Sequence, residues 1–267
     1  AVEIASTSPP AILDGAGDPI PLLEARSGGP DAWTLRFLAE DVPAYGARHY
    51  RLAPEGAVVD VEPMTEPVIE NARFRVEADE QGIRSVFDKQ LKREIAAAGT
   101  YRPVELVLEH DEGSPWATLH PDQRRNRLAP HTRLLRAERA SGLQRLTFEV
   151  VAPREMGFAG AALRALVTIT LVEGLERLDV RVAAHWDAFN HRLRLAMPVP
   201  FTGRHVYEIP YGILERAPYE PTFGWAGANG DWPAINWAGV EGKDVSVALF
   251  NKGLPSYRME PDEDGEI

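Results

Sequence analysis

Apolar and polar positions alternate with a period of two along most of this chain, and that is the signature of strands with one buried face. The clearest stretch runs from Arg164 to Trp186. Val167, Ile169 and Leu171 alternate with Thr168 and Thr170, Glu173-Gly174 interrupts, and Leu178, Val180, Val182, Ala184 and Trp186 then alternate with polar or small neighbours. Two such runs around a short glycine-containing connection predict an antiparallel hairpin. Phe74 to Ala78 and Ile83 to Phe87 predict a second, around the turn Asp79-Glu80-Gln81-Gly82. Leu146 to Val151 and Val245 to Phe250 read as further strands, as do Trp33 to Leu38 and His49 to Leu52. Only Arg133 to Arg139 suggests helix, and then a turn or two. The expected fold class is all-β.

Organisation follows from where the pattern lapses. The first 60 residues are punctuated by Pro9-Pro10, Pro19, Pro21, Gly28-Gly29-Pro30 and Pro43, and Pro54 to Pro67 carries little periodicity. A boundary near residue 65 is expected, with a small β-sandwich over 1–65 and a larger β-domain over 66–267. The 267 residues include 22 Gly and 22 Pro, enough to interrupt long helices. No internal repeat is visible.

Composition then excludes several classes. With no Cys, disulfides, thiolate metal sites and cysteine nucleophiles are ruled out, and a cytoplasmic setting is favoured over a secreted one. A net charge of −11 argues against nucleic acid and against a polybasic membrane contact. Part of the acidic excess is a tail containing Glu260, Asp262, Glu263, Asp264 and Glu266, which reads as a solvated end. No run of 18 apolar residues exists to span a membrane.

Candidate chemistry is sparse. Nucleotide-binding glycine loops, a Gly-x-Ser-x-Gly elbow and a His-Glu-x-x-His pair are all missing. His110-Asp111 and His120-Pro121-Asp122 have metal-like spacing, but such short coincidences are common, and no metal ligand is assigned. The aromatics say more. Trp225, Trp232 and Trp237 lie close together with Tyr207, Tyr211, Tyr219 and Phe223, separated by Gly and Pro. Such rings either cover the open end of a core or stack on the C–H faces of sugars. No pair of hydrolytic carboxylates can be chosen among 40 acidic residues, because spatial separation defines such a pair.

Four segments, in order, carry a resemblance. Val68-Ile69-Glu70-Asn71-Ala72-Arg73-Phe74-Arg75-Val76, continued by Gly82 to Lys89 and by Arg93-Glu94, resembles the phrase that opens the large C-terminal β-domain of family 38 glycoside hydrolases, the α-mannosidases. Leu38 to Gly46 is similar to the stretch preceding it. Trp186 with His191-Arg192-Leu193-Arg194-Leu195 and Pro198 resembles a strand pair of that domain. Ile209-Pro210-Tyr211-Gly212-Ile213-Leu214-Glu215-Arg216, with Trp232-Pro233-Ala234 and Trp237, resembles another signature.

The resemblance implies a galactose-mutarotase-like antiparallel supersandwich after the small sandwich. It also implies a region without catalytic residues or cofactor of its own. In that family the zinc site and nucleophile belong to an N-terminal barrel, which is expected to precede this chain in a longer parent, and further strands are expected to follow it. The expected role is to buttress that catalytic domain and complete its sugar-binding cleft, with a mannose-containing saccharide and the catalytic domain as partners. Arg216 occupies the position of an arginine that reaches toward the sugar, and Tyr211, Trp232 and Trp237 are its candidate companions. Pairing of Arg216 with Glu215 or Glu220 is the plainer alternative. A stand-alone carbohydrate-binding module, or a mutarotase-like protein on the same fold, is the alternative reading of the whole.

Overall fold

The computed structural model describes residues 2–54, 56, 58–111, 125–153, 156, 163–186, 190–217, 231–254 and 256–260. Among these there is no α-helix, and Ala129–His131 forms a short 3₁₀ turn. Strands dominate, in sheets whose assigned registers are antiparallel. The all-β expectation holds.

Contacts divide the chain into two compact units. The first comprises Ala1–Arg73, Leu135–Thr147 and Thr168–Arg181, and the second Phe74–Leu134, Phe148–Val167 and Val182–Ile267. The first 73 residues thus share a unit with two later segments, something a boundary drawn from composition has no means of showing.

Within the first unit, Ala32–Phe37 lies between Val2–Ala5 and Leu22–Gly29, and Ala11–Leu13 lies between Pro19–Ile20 and Arg51–Ala53. Ile12, Leu35, Ile69, Leu143, Leu146 and Ile169 are among its fully buried apolar side chains. Asn71 shows what the Glu-Asn dipeptide does. Its Nδ2 donates to the carbonyls of Val172 and Leu175, each at 2.9 Å, and its Oδ1 accepts from the Arg73 amide at 3.0 Å. A buried ion group, Arg145 with Glu24 at 2.9 Å and Glu138 at 3.0 Å, closes this unit's polar interior.

In the second unit the hairpin Phe74–Asp79/Gly82–Asp88 forms as the alternation predicts, and Arg93–Ala97 pairs with its second strand. Gly82 takes φ +127°, which favours glycine at that turn. Phe74, Val76, Ile83 and Val86 point inward from it.

Two expectations need correction. Arg133 to Arg139 is not helical: it lies inside the nine-residue strand Thr132–Ala140. Gly142, at φ +67°, reverses the chain into Leu143–Ala152, the neighbouring strand, so pairing overrides a sequence whose spacing fits helix equally well. The Arg164 to Trp186 region does form neighbouring strands, Leu163–Val172 and Asp179–His185. However, the second is an edge strand whose side chains are mostly exposed, Val182 at 37%. Its apolar alternation therefore does not mark a buried face among the described residues.

Candidate functional site

The strand Glu105–His110, of sequence ELVLEH, runs between Arg125–Arg127 and His191–Ala196. Successive side chains of a strand point to opposite faces. Leu106 and Leu108 face the core and are almost fully buried. Glu105, Val107 and Glu109 face the other way. Register places Arg125 and Arg192 opposite Glu109, and Arg127 and Arg194 opposite Val107. One face of this small sheet is thus apolar and the other is built from charge.

Glu109, 1% exposed, is the hub. Its carboxylate accepts from Arg125 Nε at 2.9 Å, Arg192 Nη2 at 2.6 Å and Arg194 Nε at 2.7 Å. Asp231 closes the circuit, accepting from Arg192 at 2.9 Å and also from Arg194. Arg125 reaches on to Glu260, and Arg258 meets the same carboxylate at 2.5 Å. Arg258 Nη1 is buried with no acceptor among the described residues. Burial alone would push the Glu109 carboxyl up; Arg194 and then Arg192 outweigh it and hold it below its ordinary value of 4.5. It is ionised at neutral pH.

Asp231 leads directly into Trp232–Pro233, which pairs with Ser256–Tyr257. The Trp232 ring packs against Tyr207, Ala234, Ala238 and Tyr257, and its Nε1 donates to the Ala217 carbonyl at 3.2 Å. Arg216 lies over it, Cζ 4.3 Å from the ring centroid. Such a stack contributes about 0.5–2 kcal/mol and fixes the guanidinium plane. Glu215 pairs instead with Arg204, at 3.1 Å.

The other two predicted residues stand apart from this pair. Tyr211 occupies the tip of the Arg204–Ile209/Gly212–Glu215 hairpin, fully exposed and at φ +64°, an unusual backbone state for a bulky residue. Trp237 lies opposite Phe250 in the strand pair Trp237–Glu241/Ser246–Phe250, ring centroids 6.2 Å apart. Its neighbour Ala238 faces Tyr207 in the core, so alternation turns Trp237 to the opposite side of the sheet. Tyr207 itself, fully buried on a regular strand, is core. Tyr219, Phe223, Trp225, Glu220 and His120-Pro121-Asp122 lie outside the described residues. His110 and His191 meet edge to face at 5.5 Å. No three of His, Cys, Asp and Glu group as a metal site among the described residues.

Comparison with known proteins decides the family. Residues 69–263 match the glycosyl hydrolases family 38 C-terminal domain. The chain belongs to that family. Two solved structures share the family 38 fold seen here. One is an α-mannosidase from Enterococcus faecalis V583, with a TM-score of 0.66 and 12% identity, covering 95% of this chain and 33% of that one. The other is a family 38 glycosyl hydrolase from Enterococcus faecalis, with a TM-score of 0.65 and 12% identity, covering 96% and 36%. The chain thus spans about a third of each of these family 38 proteins. No curated protein matches it.

Sequence reasoning did not find Glu109, Arg125, Asp231 or Phe250. A signal existed for the first: two carboxylates four residues apart, hence on one face, flanking the apolar run Leu106 to Leu108.

Proposed function

We propose that this chain is the C-terminal, non-catalytic region of a retaining α-mannosidase-like glycoside hydrolase. In this reading the supersandwich, taken as mutarotase-like and starting near residue 65, buttresses the catalytic domain of the parent and completes its cleft for a mannose-containing saccharide. The zinc and nucleophile belong to that domain. The observation that carries the reading is the Arg216–Trp232 stack, 4.3 Å from guanidinium carbon to ring centroid, anchored through Asp231 to the Glu109 network. An arginine pinned by its plane is preorganised in position, and planar guanidinium donors are of the kind that suits neighbouring sugar hydroxyls.

The test pairs two assays. In the parent enzyme, Arg216→Ala and Trp232→Ala should each lower kcat/KM for an aryl α-mannoside about tenfold or more, equivalent to about 1.4 kcal/mol. The 267-residue chain alone should release no aglycone. Chelator-sensitive turnover by the chain alone, or unchanged kinetics in both variants, overturns the reading.

A second reading, a carbohydrate-binding module in its own right, draws on the Trp237 and Phe250 rings, the latter 71% exposed. Titration of the chain with mannose distinguishes it, because tryptophan emission would then respond to sugar in the native chain and fall silent in Trp237→Ala.

A further inference from the structure

The first hairpin of the second unit contains an irregularity. Ile83 pairs with Ala78 and Ser85 with Glu77, so Arg84 is the extra residue of a β-bulge. A bulge re-aims a side chain that regular pairing would send elsewhere. Arg84 is exposed, and no described carboxylate pairs with it. It lines a cleft of about 290 Å³ together with Gln81, Gly99, Arg102, Arg127 and Pro130.

Two of the three guanidiniums there are held from behind. Arg102 Nη1 donates to both Asp79 oxygens at 2.9 and 3.0 Å, and its Nη2 donates to Gln81 at 3.2 Å. Arg127 grips Glu105 through Nε at 3.0 Å and Nη2 at 2.8 Å, with its Cζ 5.7 Å from the Tyr101 ring centroid. Arg102 Nε and Arg127 Nη1 remain without a protein acceptor among the described residues. Arg84 brings its whole fork. Asp79 and Glu105 thus orient two cations and balance only two of three, in a chain whose net charge is −11.

We propose that this cleft is a binding site for a tetrahedral oxyanion, a phosphate or sulfate group. A whole fork from Arg84, with single N–H donors left on Arg102 and Arg127, matches an anion with several equivalent oxygens, whereas a carboxylate is satisfied by a single fork. The group could reach the cleft as a free ion or as an ester on a sugar, and the same donors serve both.

Isothermal titration of the 267-residue chain with inorganic phosphate at low ionic strength tests this. Saturable binding at one site per chain is expected, weakened about tenfold or more in Arg84→Ala and only partly recovered in Arg84→Lys, a point charge without a fork. Among the described residues Arg84 has no carboxylate partner to lose, so the variants should keep the native melting temperature. Absence of saturation by about 10 mM phosphate, or an unchanged affinity in Arg84→Ala, overturns the proposal. Titration with a hexose 6-phosphate and with the neutral hexose separates the sources. Equal affinity for phosphate and ester assigns the site to the free ion, and about tenfold tighter ester binding assigns it to a phosphorylated sugar. Equal affinity for neutral hexose and ester refutes an anion site.

Discussion

Replacing Glu109 by Gln preserves size and removes the charge that Arg125, Arg192 and Arg194 share. In the native protein four guanidiniums, with Arg258, face Glu109, Asp231 and Glu260; in the variant they face two carboxylates. Breaking a fully buried ion pair costs about 3–5 kcal/mol. Here the three arginine side chains that touch Glu109 retain 17–24% exposure, and Asp231 and Glu260 still accept from them, so the loss should be about 2–3 kcal/mol. For a chain of this size that corresponds to about 5–10 °C in Tm. The pH dependence supplies the sharper criterion. A carboxyl held below its ordinary 4.5 contributes stability that is complete above that value and disappears as pH falls through the lowered one. The Tm gap between native and Glu109→Gln chains should therefore be widest near neutrality and narrow as pH falls below the ordinary 4.5. Thermal unfolding followed by circular dichroism from pH 3 to pH 7 measures it. A gap under about 1 °C at pH 7, or one that does not narrow in acid, would refute the assignment of Glu109 as the hub.

Three further outcomes are expected. Asn71→Ala leaves the carbonyls of Val172 and Leu175 without their donor in a buried setting and should cost about 2–3 kcal/mol by chemical denaturation; a loss below 0.5 would show that these bonds are dispensable. Tyr211→Gly relieves a positive-φ position and should stabilise the chain by about 0.5–1 kcal/mol, so a destabilised variant would mean that the ring is held by contacts. Gly239→Ala would place a Cβ 2.6 Å from the Val247 carbonyl oxygen and should cost about 2–3 kcal/mol, seen as a lowered Tm; a neutral outcome would show that the strands can spread freely.

What could be read beforehand depended on range. The Phe74–Phe87 hairpin was legible because its alternation, its turn and its glycine are contiguous. The strand Thr132–Ala140 was not, since Arg-Leu-Leu-Arg-Ala fits either period and its pairing with Leu143–Ala152 decides the matter. Trp232 and Trp237 sit five residues apart and turn to different sides, with the bend at Ala234 to Asn236 between them resetting the alternation. Glu109 finds Arg125 sixteen positions on and Arg192 eighty-three positions on, a circuit created by topology and invisible to spacing. Arg216 was reached by resemblance, whereas its stack on Trp232 was visible only in three dimensions.

The first compact unit draws Leu135–Thr147 and Thr168–Arg181 from within the chain, after Phe74–Leu134 and Phe148–Val167, which belong to the second. A ribosome delivering the chain in order must therefore hold Ala1–Arg73 without its full complement of neighbours until Arg181 has emerged. Long-range closure of this kind slows folding and leaves strand edges waiting. It also means that no single cut releases the first unit whole, so evolution would exchange the two as one inherited module.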